Sequence, residues 1–376
     1  MIPIAKPYLT EDEAQAAYDT ILTNWITQGP KVAEFEEKFA AYTGAKHAVA
    51  VSNCTTALHL SMIVSGVSEG DEVICPSMSY IATANCIKYV GATPVFAEVG
   101  EDYNIDIEDV KKKITSKTKA ILIVHQIGMP ADIDEFTALC KEKNLILIED
   151  AACAIGSSYK GKKIGSHSDL VCFSFHPRKV ISTGDGGMIS TTRQDYADRL
   201  KLLRQHGMSV NDQVRHNSSK VIIEEYLEVG YNYRMTDIQA AVGIKQLEKL
   251  DWIVEERRKI AGKYTEELKH IDCIRLPYEK EGKHYNVQSF SIYLKENAPI
   301  ERNDLMQKLL DKGISTRRGI MTIHRETAYN SEVYNLPISE DLADRSIILP
   351  LYVGMEDVEI DYVIDTMKLI IEKIVI

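Results

Sequence analysis

One lysine of this chain lies where a lysine could act as a nucleophile. Lys179 stands between two apolar stretches, Leu170–His176 and Met188–Ser190, which we predict to be short buried strands. A lysine held between buried strands is costly to keep charged, so burial lowers its pKa and leaves the neutral amine available. Such an amine can form a Schiff base with a carbonyl group. The competing interpretation is a surface lysine in a loop, and residues elsewhere in the chain decide between the two.

Polar residues also end three of the apolar stretches that precede Lys179. Asn53, His125 and Asp150 each follow a run that predicts a buried strand. Such strands alternate with amphipathic helices, a pattern typical of an α/β domain with a mostly parallel sheet. In these sheets, ligands bind beyond the carboxyl ends of the strands. We therefore expect these three polar strand ends to converge at that ligand-binding edge, and the stretch that carries Lys179 follows next in the chain.

A candidate phosphate site lies at the junction of a predicted strand, Ala48–Val51, and a predicted helix, Ala57–Val64. The start of a helix presents free backbone N–H groups, which can hold a phosphate. Hydroxyl groups at Ser52, Thr55 and Thr56 would add to such a cup. The alternative is that these residues serve only as a helix N-cap.

The remaining pattern indicates two units. We expect residues 1–250 to form an N-terminal arm and a large domain, and residues 251–376 to form a smaller α+β domain.

Ser209–Glu225 shows no strong periodicity and is predicted to be an exposed loop. The other predicted elements are helix Pro30–Tyr42, strand Asp71–Pro76, helix Ile81–Val90, strand Thr93–Ala97, helix Ile107–Ile114, strand Ala120–His125, helix Asp132–Lys143, strand Leu145–Asp150, helix Arg193–His206, a helix from Ile238 with Thr236 as N-cap, helix Asp251–His270, strand Val287–Leu294, helix Glu301–Lys312, strand Ile347–Leu349 and helix Val358–Ile374.

Composition excludes several classes of function. The chain has 376 residues, of which 45% are apolar and 26% charged, as in ordinary globular proteins. A net charge of -11 argues against nucleic acid or an anionic membrane as a partner, and no apolar run is long enough to span a bilayer. Seven cysteines without a CxxC pair, and no signal-like start, favour the cytoplasm. No metal-ligand spacing is present in the sequence.

Taken together, several motifs resemble those of the DegT/DnrJ/StrS family of pyridoxal-phosphate-dependent sugar aminotransferases. The resemblance implies the aspartate aminotransferase fold, fold type I, with a large domain on a mostly parallel sheet and a smaller α+β carboxy-terminal domain. Each motif is short, but they occur in the family's order along nearly the whole chain. They are Trp25–Gly29, Asn53–Leu60, Pro76–Asn85, His125–Asp134, Glu149–Ala152, Ser174–Lys179, Gly184–Gly187 and Gly230–Ala241.

The resemblance implies a role for each residue of the reaction centre. Lys179 would hold pyridoxal 5'-phosphate as a Schiff base and then move a proton between two carbons. Asp150 would pair with the pyridine nitrogen and keep it protonated, which makes the ring an electron sink. Tyr80 would stack on one face of the ring, although its position alone favours a core aromatic.

Other residues would hold the cofactor phosphate and the substrate. The resemblance assigns the phosphate to the backbone N–H groups of Cys54 and Thr55, to the Ser174 hydroxyl, and to Asn232 of a partner subunit. Arg234 would lie near the substrate, again across a homodimer interface.

The carboxy-terminal stretch Arg317–His324 could contact substrate or be purely structural. Within this stretch, Arg317 and Arg318 are candidates for nucleotide phosphates, and His324 is a further candidate for substrate binding.

The sequence departs from the family pattern at four positions. Cys153 stands where relatives often have Gln or Glu, which puts in doubt a polar contact to the cofactor's ring hydroxyl or to the substrate. Ile155 replaces a histidine of some members, and Asp185 replaces a more usual Glu. Cys54 replaces a glycine of the phosphate cup, and the backbone contacts survive this change if Cys54 has a negative φ.

The implied activity is transfer of an amino group to a nucleotide-linked keto-sugar, with L-glutamate as the donor. The bend Ser182–Gly187 is more similar to members acting on 4-keto-6-deoxy-hexoses, such as perosamine synthases, and a 3-keto-sugar aminotransferase is the alternative. A sugar dehydratase of this family would carry histidine in place of Lys179. A non-catalytic, pyridoxal-phosphate-binding regulator would not require both Lys179 and Asp150.

Overall fold

The computed structural model describes residues 1–210, 215, 218–330 and 333–375, with side chains described as far as residue 371 in the last helix. Part of the predicted loop Ser209–Glu225 therefore lies outside the described residues. The helices of the described residues are α1 (Glu11–Leu22), α2 (Pro30–Thr43), α3 (Cys54–Val64), α4 (Ala82–Tyr89), α5 (Ile107–Lys113), α6 (Ile133–Lys143), α7 (Gln194–Leu203), α8 (Asp237–Glu248), α9 (Leu250–Leu268), α10 (Arg302–Asp311), α11 (Pro337–Arg345) and α12 (Asp357–Val375).

The strands belong to three sheets. In chain order they are β1 (His47–Val51), β2 (Glu72–Pro76), β3 (Thr93–Ala97), β4 (Thr118–Val124), β5 (Ile146–Asp150), β6 (Ser158–Tyr159), β7 (Lys162–Lys163), β8 (Leu170–Ser174), β9 (Gly187–Thr191), β10 (Ile274–Arg275), β11 (Lys283–His284), β12 (Phe290–Leu294), β13 (Arg317–Arg318) and β14 (Ser346–Leu349).

The central sheet has seven strands in the order β1-β9-β8-β5-β4-β2-β3. The pairs from β3 through β8 run parallel, whereas β9 is antiparallel to both of its neighbours. The predicted α/β fold with a mostly parallel sheet is therefore confirmed. Because β1, β2, β4, β5 and β8 share one direction, their carboxyl ends lie along the same edge.

Helices cover both faces of this sheet, which is why its strands are apolar throughout. Alternate residues of β4 belong to different hydrophobic clusters: Ile121 and Ile123 pack with Phe136, whereas Ala120 and Leu122 belong to a second cluster. Successive side chains of a strand point to opposite faces, so two separate cores sandwich the sheet. Burial of each large aliphatic side chain contributes about 1.5–3 kcal/mol.

The carboxy-terminal part has its own core, built around a four-stranded sheet in the order β10-β12-β14-β13. Helix α9 joins this core to the first one. Leu250 and Val254, at its start, pack with the large sheet, while Tyr264 and Leu268 pack with β12 and β14. A domain boundary between residues 250 and 251 would fall at the start of this helix, and it stays a prediction.

Side chains at helix starts fix several elements that frame the sheet edge. Thr236 is the N-cap of α8, as predicted, and forms a capping box with Gln239. The next residue, Asp237, caps another helix: its carboxylate accepts hydrogen bonds from the N–H groups of Gly29, Lys31 and Val32 at the start of α2. Part of the Gly230–Ala241 motif is therefore explained by helix capping.

The structure differs from the predicted elements mainly in the segments with weak periodicity. Helices α1 and α11 were not predicted, and neither were the two-residue strands. The strand predicted from Val287 begins instead at Phe290. Val287 has a φ of 51°, which a β-branched residue rarely adopts and which a regular strand excludes.

Candidate active site

The lysine and the aspartate singled out in the sequence are brought together by neighbouring strands. Asp150 is the last residue of β5, and the turn that carries Lys179 follows β8, which pairs directly with β5. The Lys179 Nζ donates a hydrogen bond to Cys153 Sγ at 3.1 Å. We call the group Lys179, Asp150, Cys153 and Thr83 the active-site floor.

Asp150 is buried and held in a fixed orientation. One carboxylate oxygen accepts a hydrogen bond from Thr83 Oγ1 at 3.2 Å, and the other accepts one from the Ala152 N–H at 3.0 Å. Thr83 is itself bonded to Ser79 Oγ at 2.7 Å. Burial raises the pKa of Asp150, although the Ala152 N–H and the charge of Lys179 act in the opposite direction.

The prediction that burial lowers the pKa of Lys179 is wrong for this arrangement. Burial does act in that direction, but the hydrogen bond to Cys153 and the charge of Asp150 outweigh it, so the pKa of Lys179 is raised. The amine must therefore lose a proton to a neighbouring group or to solvent before it can attack a carbonyl.

The start of α3 forms a cup beside the floor. The N–H groups of Cys54 and Thr55 have no acceptor within the described part of the chain, whereas Asn53 and Thr56 are occupied with each other in a capping box. The two predicted alternatives, phosphate cup and N-cap, therefore coexist on different residues. Cys54 does not have a positive φ, so the backbone can serve where a glycine is more usual.

The bend before β9 allows the cup to close against the floor. A Cβ atom at Gly187 would lie 2.5 Å from the Asn53 carbonyl, so a glycine is required for this approach. Ser174, at the end of β8, is also buried, and its Oγ accepts a hydrogen bond from the His176 N–H. Its hydroxyl hydrogen remains available for a further acceptor.

Three predicted residues lie at the surface of the chain. Tyr80 is 67% exposed, so its ring is accessible for stacking on a ligand and is not part of the core. Asn232 is exposed, and Arg234 is half-buried with no carboxylate partner among the residues described. Within the described residues, neither side chain forms a hydrogen bond or an ion pair with the floor of its own chain.

Two of the three polar strand ends do not point into the site. Asn53 caps α3. His125 is fully buried, and its Nε2 lies 2.8 Å from Glu149 Oε2. The Ala131 N–H donates to His125 Nδ1, so Nε2 carries the proton. The ends of β1, β4 and β5 lie along one edge of the sheet, as predicted. The side chains of Asn53 and His125 are engaged elsewhere, and of the three residues only Asp150 acts on the charge of Lys179.

The carboxy-terminal candidates separate into two exposed arginines, Arg317 and Arg318, and one buried histidine, His324. The Arg318 side chain is 57% exposed and lies 3.4 Å from Glu326. His324 is buried, with Nδ1 2.5 Å from Ser77 Oγ and Nε2 3.0 Å from Glu340. Because both ring nitrogens are engaged, the geometry favours a structural role for His324, and its contact with substrate stays a prediction.

Sequence reasoning missed two parts of the site. Thr83 lies within the Pro76–Asn85 motif, but only the structure shows that its hydroxyl holds Asp150. Asn286 comes from the carboxy-terminal half, and its side-chain amide donates to the carbonyls of Cys153 and Ile155 at 2.8 and 2.7 Å. No local pattern marks it.

The loop that carries Asn286 is held in a strained conformation. The next residue, Val287, has a φ of 51°, a conformation that costs about 1–3 kcal/mol. The guanidinium group of Arg257 offsets this cost by donating to the carbonyls of Val287 and Gln288 at 2.9 and 2.7 Å. Burial lowers the pKa of Arg257 to about 10, so it is still charged at neutral pH.

Two further classes of site are not found in the described residues. No group of three or more His, Cys, Asp or Glu side chains is placed to hold a metal ion. Within the same residues, no helix has the length and apolar character needed to cross a membrane.

The floor and the cup together provide the groups that pyridoxal phosphate needs. An amine at Lys179 suits its aldehyde, a buried carboxylate at Asp150 suits its ring nitrogen, and free N–H groups at Cys54 and Thr55 suit its phosphate. The residues present therefore fit the class of pyridoxal-phosphate-dependent transferases.

Comparison with known proteins places the chain within that class. The model of the DegT/DnrJ/EryC1/StrS aminotransferase family matches residues 7–368. GDP-perosamine synthase from Escherichia coli O157:H7 is 37% identical over 369 residues, which cover 98% of each chain. The chain belongs to the DegT/DnrJ/EryC1/StrS aminotransferase family.

Solved structures agree with this assignment. A putative sugar aminotransferase, Spr1654 from Streptococcus pneumoniae in its PMP form, superposes with a TM-score of 0.94 at 28% identity, covering 100% of both chains. DesV from S. venezuelae, solved with a ketimine intermediate, gives a TM-score of 0.90 at 32% identity, covering 99% of this chain and 98% of that one. The predicted family, fold class and class of pyridoxal-phosphate-dependent aminotransferase are confirmed.

Proposed function

We propose that this protein transfers an amino group from L-glutamate to a nucleotide-linked 4-keto-6-deoxy-hexose and releases the 4-amino sugar. The observation that carries the aminotransferase chemistry is the floor itself, where Lys179 and Asp150 meet across two paired strands. Bound pyridoxal phosphate supplies an electron sink for the carbanion that forms when a proton leaves the amino-bearing carbon.

The residues of this chain then have separate tasks. Asp150, kept in place by Thr83 and Ala152, supplies a negative charge where the ring nitrogen must remain protonated. Lys179 Nζ would hold the cofactor, and its free amine would move the proton between the two carbons. Cys153 Sγ, at 3.1 Å, positions that amine.

The choice of a 4-keto sugar over a 3-keto sugar rests on two supports. The bend Ser182–Gly187 is similar to that of members acting on 4-keto-6-deoxy sugars, and a full-length relative at 37% identity is named a GDP-perosamine synthase. A 3-keto-sugar aminotransferase is the alternative outcome of the test below.

We further propose a homodimer with shared sites. The support is the exposure of Asn232 and the absence of a carboxylate partner for Arg234 among the described residues, since both side chains would be satisfied by a neighbour's phosphate and substrate. A mixture of Lys179→Ala subunits with Asn232→Ala/Arg234→Ala subunits should regain activity, because each heterodimer contains one intact site. No recovery after confirmed subunit exchange contradicts shared sites.

The cytoplasm is the proposed location. All seven cysteines are free, and six of them are buried. Unpaired thiols persist in a reducing compartment, which supports this proposal.

The reaction is tested with purified holoenzyme in two stages. L-Glutamate alone should yield 2-oxoglutarate in an amount equal to the enzyme present. Addition of a nucleotide-linked 4-keto-6-deoxy-hexose should then give a product whose NMR spectrum places nitrogen at C4. Nitrogen at C3 supports the alternative, and loss of a hydroxyl group without gain of nitrogen overturns both.

A further inference from the structure

Three arginines line a cleft in the carboxy-terminal part of the molecule. Arg302 lies at the start of α10, Arg318 in β13, and Arg325 at the end of a short 3-10 turn, Ile323–Arg325. The cleft has a volume of about 180 Å³. Since a single water needs only about 10–15 Å³ on this measure, the cleft has room for a group of several heavy atoms. We call it the arginine cleft.

Its charges are arranged so that positive charge remains uncompensated. Arg325 forms a two-pronged ion pair with Asp344 at 2.9 and 2.8 Å, and Arg318 lies 3.4 Å from Glu326. Arg302 forms no ion pair with a carboxylate among the residues described: it donates to Asn303 Oδ1 and to the Ala343 and Ser346 carbonyls, although the charge of Asp344 acts on it from nearby. Three guanidinium groups thus face two carboxylates.

The chemistry of these groups selects the kind of anion. Burial lowers the pKa of Arg302 below its ordinary value; the charge of Asp344 opposes this shift, and the charges of Arg318 and Arg325 add to it. An anion that neutralises the remaining positive charge is therefore favoured. Guanidinium groups present planar pairs of N–H donors that match the oxygens of a phosphoryl group. Their convergence from three separate elements suits a ligand with many oxygens better than a single carboxylate.

The cleft borders the segment that leads to the floor. Thr322, in its lining, pairs in antiparallel fashion with Met78, and the Ile323 N–H donates to the Ser77 carbonyl at 2.8 Å. Tyr80 lies two residues beyond Met78. The cleft is therefore joined through Thr322 and Ile323 to the segment Ser77–Tyr80, whose Ser79 bonds to Thr83 of the floor.

We infer that the arginine cleft binds phosphoryl groups, and that in turnover it holds the diphosphate of the nucleotide-linked sugar, an inference that rests on the proposed function. The acidic protein, with a net charge of -11, otherwise repels such a substrate. The cleft supplies a local positive region, and the Ser77–Tyr80 segment places the attached sugar toward Lys179.

Calorimetric titration of the holoenzyme with uridine, guanosine and thymidine diphosphates and with pyrophosphate tests the inference. At least one nucleoside diphosphate should bind, pyrophosphate should compete with it, and raised salt should weaken it. Arg302→Gln and Arg325→Gln should each raise its dissociation constant by about tenfold or more, because a charged hydrogen bond is lost. Arg345→Gln, on the same helix as Asp344 but outside the cleft, is the control and should bind normally.

The outcomes separate this inference from the proposed function, because binding is scored without turnover. Unchanged affinity in both cleft variants overturns the inference even if the sugar is aminated. Inorganic phosphate binding as tightly as every nucleoside diphosphate would show a site for free anions and would overturn the assignment to substrate. Weakened binding in the cleft variants alone supports the inference even if the aminated position proves to be C3.

Discussion

The active-site floor and the arginine cleft are both joined to the same segment, Ser77–Tyr80, but they are built in opposite ways. On the floor, Asp150 is only 6% exposed, and each of its oxygens accepts a hydrogen bond. In the cleft, the Arg318 side chain is 57% exposed, and Arg302 forms no ion pair with a carboxylate within the described residues. On the floor, the polar groups are satisfied within one chain, whereas in the cleft the guanidinium groups outnumber the carboxylates.

This difference suits two separate tasks: the floor carries out the reaction, and the cleft recognises the substrate. Groups that must hold a charge in one place are buried and fixed by neighbours, since reorganisation during the reaction would weaken their effect. Groups that recognise a large anionic substrate stay exposed, because the substrate has to enter and leave. Substitutions on the floor should therefore reduce turnover, and substitutions in the cleft should reduce substrate affinity.

The largest effect is expected from Asp150→Asn. The amide cannot hold the ring nitrogen protonated by charge, so kcat should fall by at least roughly a hundredfold while the fold is kept. Glu149→Gln is the matched control: it lies one residue earlier on the same strand but bonds to His125. The control should lower the melting temperature and keep turnover within about twofold. Near-normal kcat for Asp150→Asn contradicts its role.

A smaller effect is expected from Thr83→Val, which has the same shape but no hydroxyl. It removes the donor 3.2 Å from Asp150 and leaves Ser79 Oγ without its partner. A lost hydrogen bond to a charged group costs about 1.5–3 kcal/mol, so kcat/KM should fall by about ten- to a hundredfold. Thr83→Ser retains the hydroxyl and should restore most of the activity. Equal values for the two variants would show that the hydroxyl does not act through Asp150.

The smallest effect is expected from Cys153→Ala, and it has the opposite sign. The sulfur accepts a hydrogen bond from Lys179 and helps to raise the pKa of Lys179, so its removal leaves more neutral amine at neutral pH. The apoenzyme should capture pyridoxal phosphate about fivefold faster, on the scale of one hydrogen bond of about 1 kcal/mol. The pH profile of capture should shift to lower pH. The control Cys273→Ala, in the carboxy-terminal core, should leave the rate of capture and its pH profile unchanged. Slower capture by Cys153→Ala would contradict the role of the Lys179–Cys153 hydrogen bond.

The sequence predicted what depends on local pattern. Apolar runs such as Ile146–Asp150 define buried strands, and strands of one direction bring their ends to one edge, so Lys179 and Asp150 could be paired before the structure. The cap at Thr236 follows from its residue type and its place just before the predicted helix, and the structure confirms it. These features can be predicted from the residue types within each element and from the general rule that parallel strands end at one edge of a sheet.

What could not be predicted depends on contacts between distant segments. The direction of His125 is set by Glu149 and Ala131, which it meets only in the folded sheet. The pKa of Lys179 is raised because Cys153 and Asp150 outweigh burial, and this balance is not visible in the sequence. Asn286 reaches the floor from the carboxy-terminal half through a loop with a strained backbone.

The central claim is that Lys179 holds pyridoxal phosphate opposite Asp150. Borohydride reduction of the holoenzyme, followed by peptide mapping, tests it most directly, with Lys179→Ala treated in parallel. The mass of the reduced cofactor should be found on the peptide that contains Lys179, and the variant should show no such mass. Reduced cofactor on a different lysine, or on none, would contradict it.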